Sequence, residues 1–136
     1  MSTTASTIAQ IANDLVAHCQ TPTDDFVEHD AKIWDKHYAD NWISIEGDGK
    51  TFQGRDEVIA KYREWEKGVT MHGCEVIGPF LGQTGFSVIF DMDIECNNGT
   101  FPRMRMKEIA NYTVENDKIV KEEFCYQYSD QCAEDC

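Results

Sequence analysis

Two ten-residue stretches, FSVIFDMDIE and RMRMKEIANY, place one carboxylate where chemistry is expected. In the first, Phe86, Val88, Phe90, Met92 and Ile94 alternate with Ser87, Ile89, Asp91, Asp93 and Glu95. In the second, Arg103, Arg105 and Lys107 alternate with Met104, Met106, Glu108, Ala110 and Tyr112. A period of two is the signature of half-buried strands. Folded back on each other, the stretches set an acidic row beside a basic row. Opposite charges across a strand pair stabilise an outer face by roughly 0.2–1 kcal/mol each. The other rows then face inward and carry Glu108 with them. A carboxylate among Met, Ala and Phe is costly to bury unless it is hydrogen-bonded, protonated or turned to a wet cavity. Glu108 is therefore either a buried acid satisfied by a tyrosine or backbone group, or a pocket acid with a displaced pKa.

Other reactive side chains form no known constellation. There is no H-E-x-x-H, no serine or cysteine nucleophile motif and no phosphate-cradling glycine loop, so neither metal nor cofactor is expected. His18, His29 and His37 read as helix-surface positions. The six cysteines contain no C-x-x-C. The N-terminus MSTTASTIAQ lacks the basic and apolar regions of a secretory signal, so reduced thiols in a cytoplasm are expected. Cys132 and Cys136 sit in an acidic tail, SDQCAEDC, and residues 129–136 read as flexible.

Composition narrows the partners. The 136 residues carry 12 Lys and Arg against 25 Asp and Glu, a formal charge of −13. That field repels phosphate backbones and anionic lipid, so neither nucleic acid nor membrane is an expected partner. Residues 1–136 read as one domain, with ordinary globular hydrophobic and aromatic content.

The elements that must position Glu108 follow from periodicity. Ile8, Ile11, Ala12, Leu15, Val16 and Cys19 recur at helical spacing, with Ser6 or Thr7 as the cap. Pro22 ends this helix. Thr23 or Asp24 caps a second, carrying Phe26, Val27, Ala31, Ile33, Trp34 and Tyr38, with Asp25 and Glu28 in its positive first turn. NWISIEGDGKTF predicts a strand, a Gly-Asp-Gly turn and a short return strand. A third helix, RDEVIAKYREWEKG, places Val58, Ile59, Tyr62 and Trp65 on one side. Four strands follow, over 70–80, 85–96, 102–114 and 118–128. Helices first and strands after predict an α+β fold with an antiparallel sheet.

This order resembles the NTF2-like superfamily, and within it the SnoaL-like and ketosteroid-isomerase-like groups. Tyr38-Ala39-Asp40-Asn41-Trp42 resembles the junction where the second helix enters the first strand. Gly54-Arg55-Asp56-Glu57-Val58-Ile59 resembles the start of the third helix. Gly78-Pro79 is similar to the break after the next strand, and Glu115-Asn116-Asp117-Lys118-Ile119-Val120 to the last hairpin turn. The resemblance covers roughly residues 8–128. It implies a cone: three helices packed on a strongly curved, mostly antiparallel sheet around an apolar pocket.

The resemblance also implies site residues. It places Glu46 where ketosteroid isomerases keep a catalytic carboxylate, at the end of the first strand. It leads Tyr38, Trp42, Tyr62 and His72 toward the pocket, beside the inward row of Phe90, Met92, Met106 and Tyr112. The family's oxyanion tyrosine has no counterpart in the first helix, and Ala110 stands where its protonated aspartate would be. Ketosteroid isomerase activity is therefore not expected. The last strand admits two registers. A two-residue turn would send Lys121, Glu123 and Cys125 inward. A three-residue turn would send Val120, Glu122, Phe124 and Tyr126 inward, and the more apolar second row is preferred.

Two functions fit. One is acid–base catalysis of isomerase, cyclase or hydratase type on a small apolar molecule, with Glu46, Glu108 and Glu122 as the catalytic groups. The other is a non-catalytic ligand-binding or dimerisation module. A homodimer through the sheet's outer face is expected, as the resemblance implies.

Overall fold

The computed structural model describes residues 3–99 and 102–126. The acidic tail and its two cysteines lie outside them. The chain runs α1 (Ala5–Cys19), α2 (Phe26–His37), β1 (Tyr38–Ile45), β2 (Thr51–Gln53), α3 (Gly54–Gly68), β3 (Val69–Leu81), β4 (Gly85–Cys96), β5 (Met104–Glu115) and β6 (Lys118–Cys125). Three helices pack on one curved, unclosed six-stranded sheet of order β2-β1-β6-β5-β4-β3, the α+β cone expected. Only β1 and β6 run parallel; the other neighbours are antiparallel.

Helix boundaries are set by side chains slightly displaced from those expected. Thr4 caps α1, its hydroxyl accepting from the Thr7 N–H at 3.2 Å. Asp25, expected inside the first turn of α2, is the cap itself and accepts from the Glu28 N–H at 3.1 Å. Each cap satisfies an amide that the first helical turn leaves without a partner.

The β4–β5 hairpin follows the alternation. Phe90 stands opposite Glu108 and Met92 opposite Met106, on the inner face. On the outer face Arg103 grips Asp93 through two bonds of 2.9 and 2.8 Å, and Arg105 bonds Asp91 at 3.2 Å. Asp93 stands directly opposite Arg105, so these pairs are diagonal. Ile77, Ile89 and Ile109 form an apolar row across three strands of the same outer face.

The final hairpin corrects the turn while keeping the preferred face for three of the four residues. Asn116 and Asp117 form a tight two-residue turn, both with positive φ. Val114 pairs with Ile119 but Thr113 with Lys121, so the strand bulges at Val120. One extra residue resets the alternation. Ile119, not Val120, is fully buried, while Glu122 pairs with Tyr112 and Phe124 with Ala110 on the inner row.

The core lies between α1, α2 and the concave sheet. Trp34, Tyr38, Trp42, Phe86, Val88, Tyr112 and Ile119 are all buried there. A smaller cluster of Met92, Ile94, Cys96 and Met106 fills the sheet toward β3. Gly85 is required by close approach: a Cβ there would lie 1.8 Å from the Tyr112 carbonyl oxygen. Among the described residues, no helix is long and apolar enough to cross a membrane.

Candidate functional site

Lys61 is the hub of the site. It lies on the sheet-facing side of α3, three residues after fully buried Val58, and its side chain is only 11% exposed. Its ammonium pairs with Glu46 at 2.7 Å and donates to the Ser44 hydroxyl at 2.9 Å. The rings of Phe124, Tyr62 and Phe52 lie around it, 5.1, 5.2 and 5.5 Å from the nitrogen. A cation so enclosed is tolerable because a carboxylate neutralises it and π-faces attract it.

Three glutamates act on this lysine, Glu46 by direct contact and Glu108 and Glu122 through charge. Glu46 follows β1, where the chain enters the turn to β2. It accepts a hydrogen bond from the Tyr126 hydroxyl at 2.9 Å. Gly47 makes room for that tyrosine, since a Cβ there would lie 2.8 Å from the ring. Glu122, on β6, is 3% exposed and accepts from the buried Tyr38 hydroxyl at 2.9 Å. Glu108 arrives on the inner row of β5.

Their environments set them apart. Burial pushes the Glu108 carboxyl up to about 8, and the negative charge of Glu46 adds to the rise while Lys61 opposes it. Burial also raises Glu122, against the pull of Lys61 and of the Tyr38, Ser44 and Trp42 donors. Glu122 Oε1 and Trp42 Nε1 remain buried without a partner in full hydrogen-bonding geometry. The arrangement therefore sets Glu46 against the Lys61 ammonium and keeps Glu108 protonated at neutral pH.

Two clefts flank β6 at opposite ends. One, of about 480 Å³, is lined by Ile45, Glu46, Gly47, Gly49, Phe124 and Tyr126, together with Glu123 and Cys125. The other, of about 320 Å³, lies by the β5–β6 turn and includes Thr3, Gln83 and Asn116. Only the first carries a member of the glutamate cluster.

The structure thus gathers Glu46, Glu108, Glu122, Tyr38, Phe124 and Tyr126 around Lys61. Phe90 lies beside Glu108, in contact with both apolar clusters. Trp42 and Tyr62 belong to the aromatic layer against Trp34, and Tyr112 stacks on Phe86 at 4.8 Å. Met92 and Met106 pack in the smaller cluster.

His72 lies elsewhere. A bulge between Met71 and Gly73 breaks the alternation that would align it with Cys74 and Val76. Its ring is exposed and bonds Glu95 at 2.8 Å. Nor are the helix histidines plain surface groups. His37 is buried against Asp14 at 2.8 Å, and His18 stacks on His29.

Sequence reasoning missed Lys61 and Ser44. A signal for Lys61 was present: it stands three residues after Val58 and four before Trp65, the helical spacing of one face. Ser44 carried none, since a small hydroxyl on an inner strand row is common.

Comparison with known proteins agrees with this architecture. Residues 10–126 match the model of the SnoaL-like domain, and the chain belongs to that family. It is similar to a Mesorhizobium loti protein provisionally described as a SnoaL-like polyketide cyclase, with 28% identity, 88% of this chain and 98% of that one covered, and a TM-score of 0.73. An NTF2-like protein of unknown function from Burkholderia pseudomallei shares 18% identity over 94% of each chain, TM-score 0.69. A Catenulispora acidiphila protein with a ketosteroid isomerase-like fold, solved with trimethylamine, shares 10% identity, with 74% of this chain and 78% of that one covered and a TM-score of 0.59. No curated protein matches the chain.

Proposed function

We propose that this SnoaL-like protein binds a small, largely apolar molecule at the Glu46 cleft and moves protons on it. Glu46 is the base and Glu108 the acid, in chemistry of isomerase, cyclase or hydratase type. Glu122 holds a second proton deeper in the same cluster. The observation that carries this reading is the division of labour around Lys61. One glutamate is neutralised by the lysine and faces a cleft, while a second is driven by burial to hold its proton. An acid and a base available at one pH are what proton transfer at carbon or a leaving hydroxyl requires. Lys61 is a positioning residue, fixing the charge and direction of the Glu46 carboxylate.

A non-catalytic ligand carrier is the second reading. The absence of a tyrosine in α1 favours it, as does the aromatic layer that fills much of the concave face. A thermal-shift screen of small carbonyl and hydroxyl compounds, followed by mass spectrometry of bound material, separates the two. Conversion abolished by Glu46→Gln with binding retained supports catalysis. Ligand recovered unchanged from the wild type refutes it.

The chain is further proposed to pair as a homodimer through the outer sheet face, around Ile77, Ile89 and Ile109. Ile109 is 43% exposed in the single chain, and ion pairs at Asp91 and Asp93 flank the row. Ile109→Glu is expected to give a monomer by light scattering. A wild type that is already monomeric at micromolar concentration would count against pairing.

A further inference from the structure

A second group of ligating side chains lies outside the glutamate cluster, where the last turn of α1 meets the first turns of α2. His18, His29 and Asp30 each offer a donor atom, and the three lie within 4.8 Å of one another. We propose that these residues form a binding site for a divalent transition-metal ion of the zinc, copper or nickel class. This goes beyond the proton-transfer reading and does not depend on it.

Three features of the geometry carry the assignment. First, His18 Nε2 and Asp30 Oδ1 stand 3.2 Å apart. Donors bound at about 2.0–2.1 Å around a tetrahedral ion are separated by roughly 3.3 Å, so two corners of a site are already in place. Second, His29 Nε2 lies 2.9 Å from the His18 carbonyl oxygen. A carbonyl only accepts, so Nε2 carries the hydrogen and Nδ1 of the neutral ring presents its lone pair. Anchoring one ring nitrogen on a carbonyl is how proteins orient a metal-ligating histidine. Third, the rings of His18 and His29 stack at 3.8 Å with planes 14° apart, which holds the two imidazoles together at one place.

The position also suits a cation. The side chains of His18 and Asp30 are only 12% and 22% exposed, so water screens them partially. His18 lies at the negative end of the α1 dipole. Two imidazoles with one carboxylate favour a borderline first-row ion over magnesium or calcium, which take oxygen ligands. In the stack the ring planes run side by side, so binding must turn His18 or His29 out of it. The ion takes the place of the hydrogen bond between His18 and Asp30. It would add a further tie between α1 and α2, which the His37–Asp14 pair already joins. Asp30 is also the strongest charge acting on the Tyr62 hydroxyl, so the ion would be felt at the aromatic layer beside Lys61.

The test is titration of the full chain with Zn²⁺ after chelator treatment, on a Cys132→Ser/Cys136→Ser background that removes the tail thiols. One ion per chain is expected. His29→Gln and Asp30→Asn should each weaken binding at least tenfold, an effect of about the size produced by losing a supporting ligand contact. Imidazole ¹⁵N shifts in the parent chain give a readout independent of those variants. His18 and His29 should move while His37 and His72 stay. Absence of one-to-one uptake, unchanged affinity in both variants, or movement of His37 or His72 instead would overturn the assignment.

Discussion

Replacing Glu108 by Gln should stabilise this protein at neutral pH, and by an amount that depends on pH in a prescribed way. Burial lifts the Glu108 carboxyl from an ordinary 4.5 to about 8. Between those values the folded chain holds a proton that the unfolded chain has released, so rising pH favours unfolding. The sign is therefore opposite to that of a salt-bridged carboxylate: stability is full below about pH 4.5 and declines as pH rises through 8. At about 1.4 kcal/mol per pH unit, the whole window corresponds to an upper bound of about 5 kcal/mol, of which about 3 kcal/mol has accrued by pH 7. Partial exposure of the side chain to water reduces this, to about 1–3 kcal/mol at pH 7. Gln mimics the protonated acid in size and dipole but cannot ionise. Urea unfolding of both proteins at pH 4, 7 and 9 checks the argument. The variant should match the wild type at pH 4, exceed it at pH 7 and exceed it further at pH 9. A difference that stays constant with pH, or a Glu108 carboxyl ¹³C signal titrating near 4.5, would refute the burial reasoning.

Lys61→Met should destabilise by roughly 2–4 kcal/mol by leaving Glu46 facing a partly buried site without its counter-charge. Adding Glu46→Gln should recover part of that loss in a double-mutant cycle, and additive losses would deny the coupling. Tyr38→Phe removes the hydrogen bond that the buried Glu122 carboxyl accepts at 2.9 Å, and a loss of about 1–3 kcal/mol is expected in denaturant melts. A loss within error would show that Glu122 finds another donor. Gly85→Ala forces a methyl into the Tyr112 backbone, and an insoluble or strongly destabilised chain is expected. A soluble variant with a wild-type melting temperature would mean that β4 and β5 can separate locally.

What the sequence reveals depends on whether local pattern controls the outcome. The β4–β5 hairpin is legible because its two rows differ sharply in polarity, and a slip of one residue would turn Asp91, Asp93 and Arg105 toward the core. That contrast also places Glu108 correctly. The end of the sheet is less legible. Val120 and His72 are bulged residues, and a bulge arises from how two strands accommodate twist, which neither strand states alone. At Val120 the bulge moved the alternation by one residue after the turn and so restored the expected face to Glu122 and Phe124. At His72 it turned a residue expected in the pocket onto the outer face. Lys61 escaped notice because helical lysines are ordinarily solvated. Its burial depends on Glu46, fifteen positions away in sequence and adjacent only after β1 and α3 pack together.

The cluster around Lys61 also explains why several acids can share one interior. A single ammonium neutralises one carboxylate, and Glu46 holds that place through direct contact at 2.7 Å. Any other glutamate within range meets a pair of nearly zero net charge and a surrounding of Phe, Tyr and Met. Its cheapest state is the protonated one: burial raises both Glu108 and Glu122, and Lys61 opposes the rise without cancelling it. The lysine therefore determines which glutamate can accept a proton and which can give one. Reversing the assignment would require moving the ammonium, not changing the acids. On this reasoning Lys61→Met should do more than weaken the fold. It should free the Glu46 carboxylate from the contact that aims it, so proton-transfer activity should fall even where the variant remains folded. Wild-type activity in folded Lys61→Met would mean that the Tyr126 hydroxyl, not the lysine, positions that carboxylate.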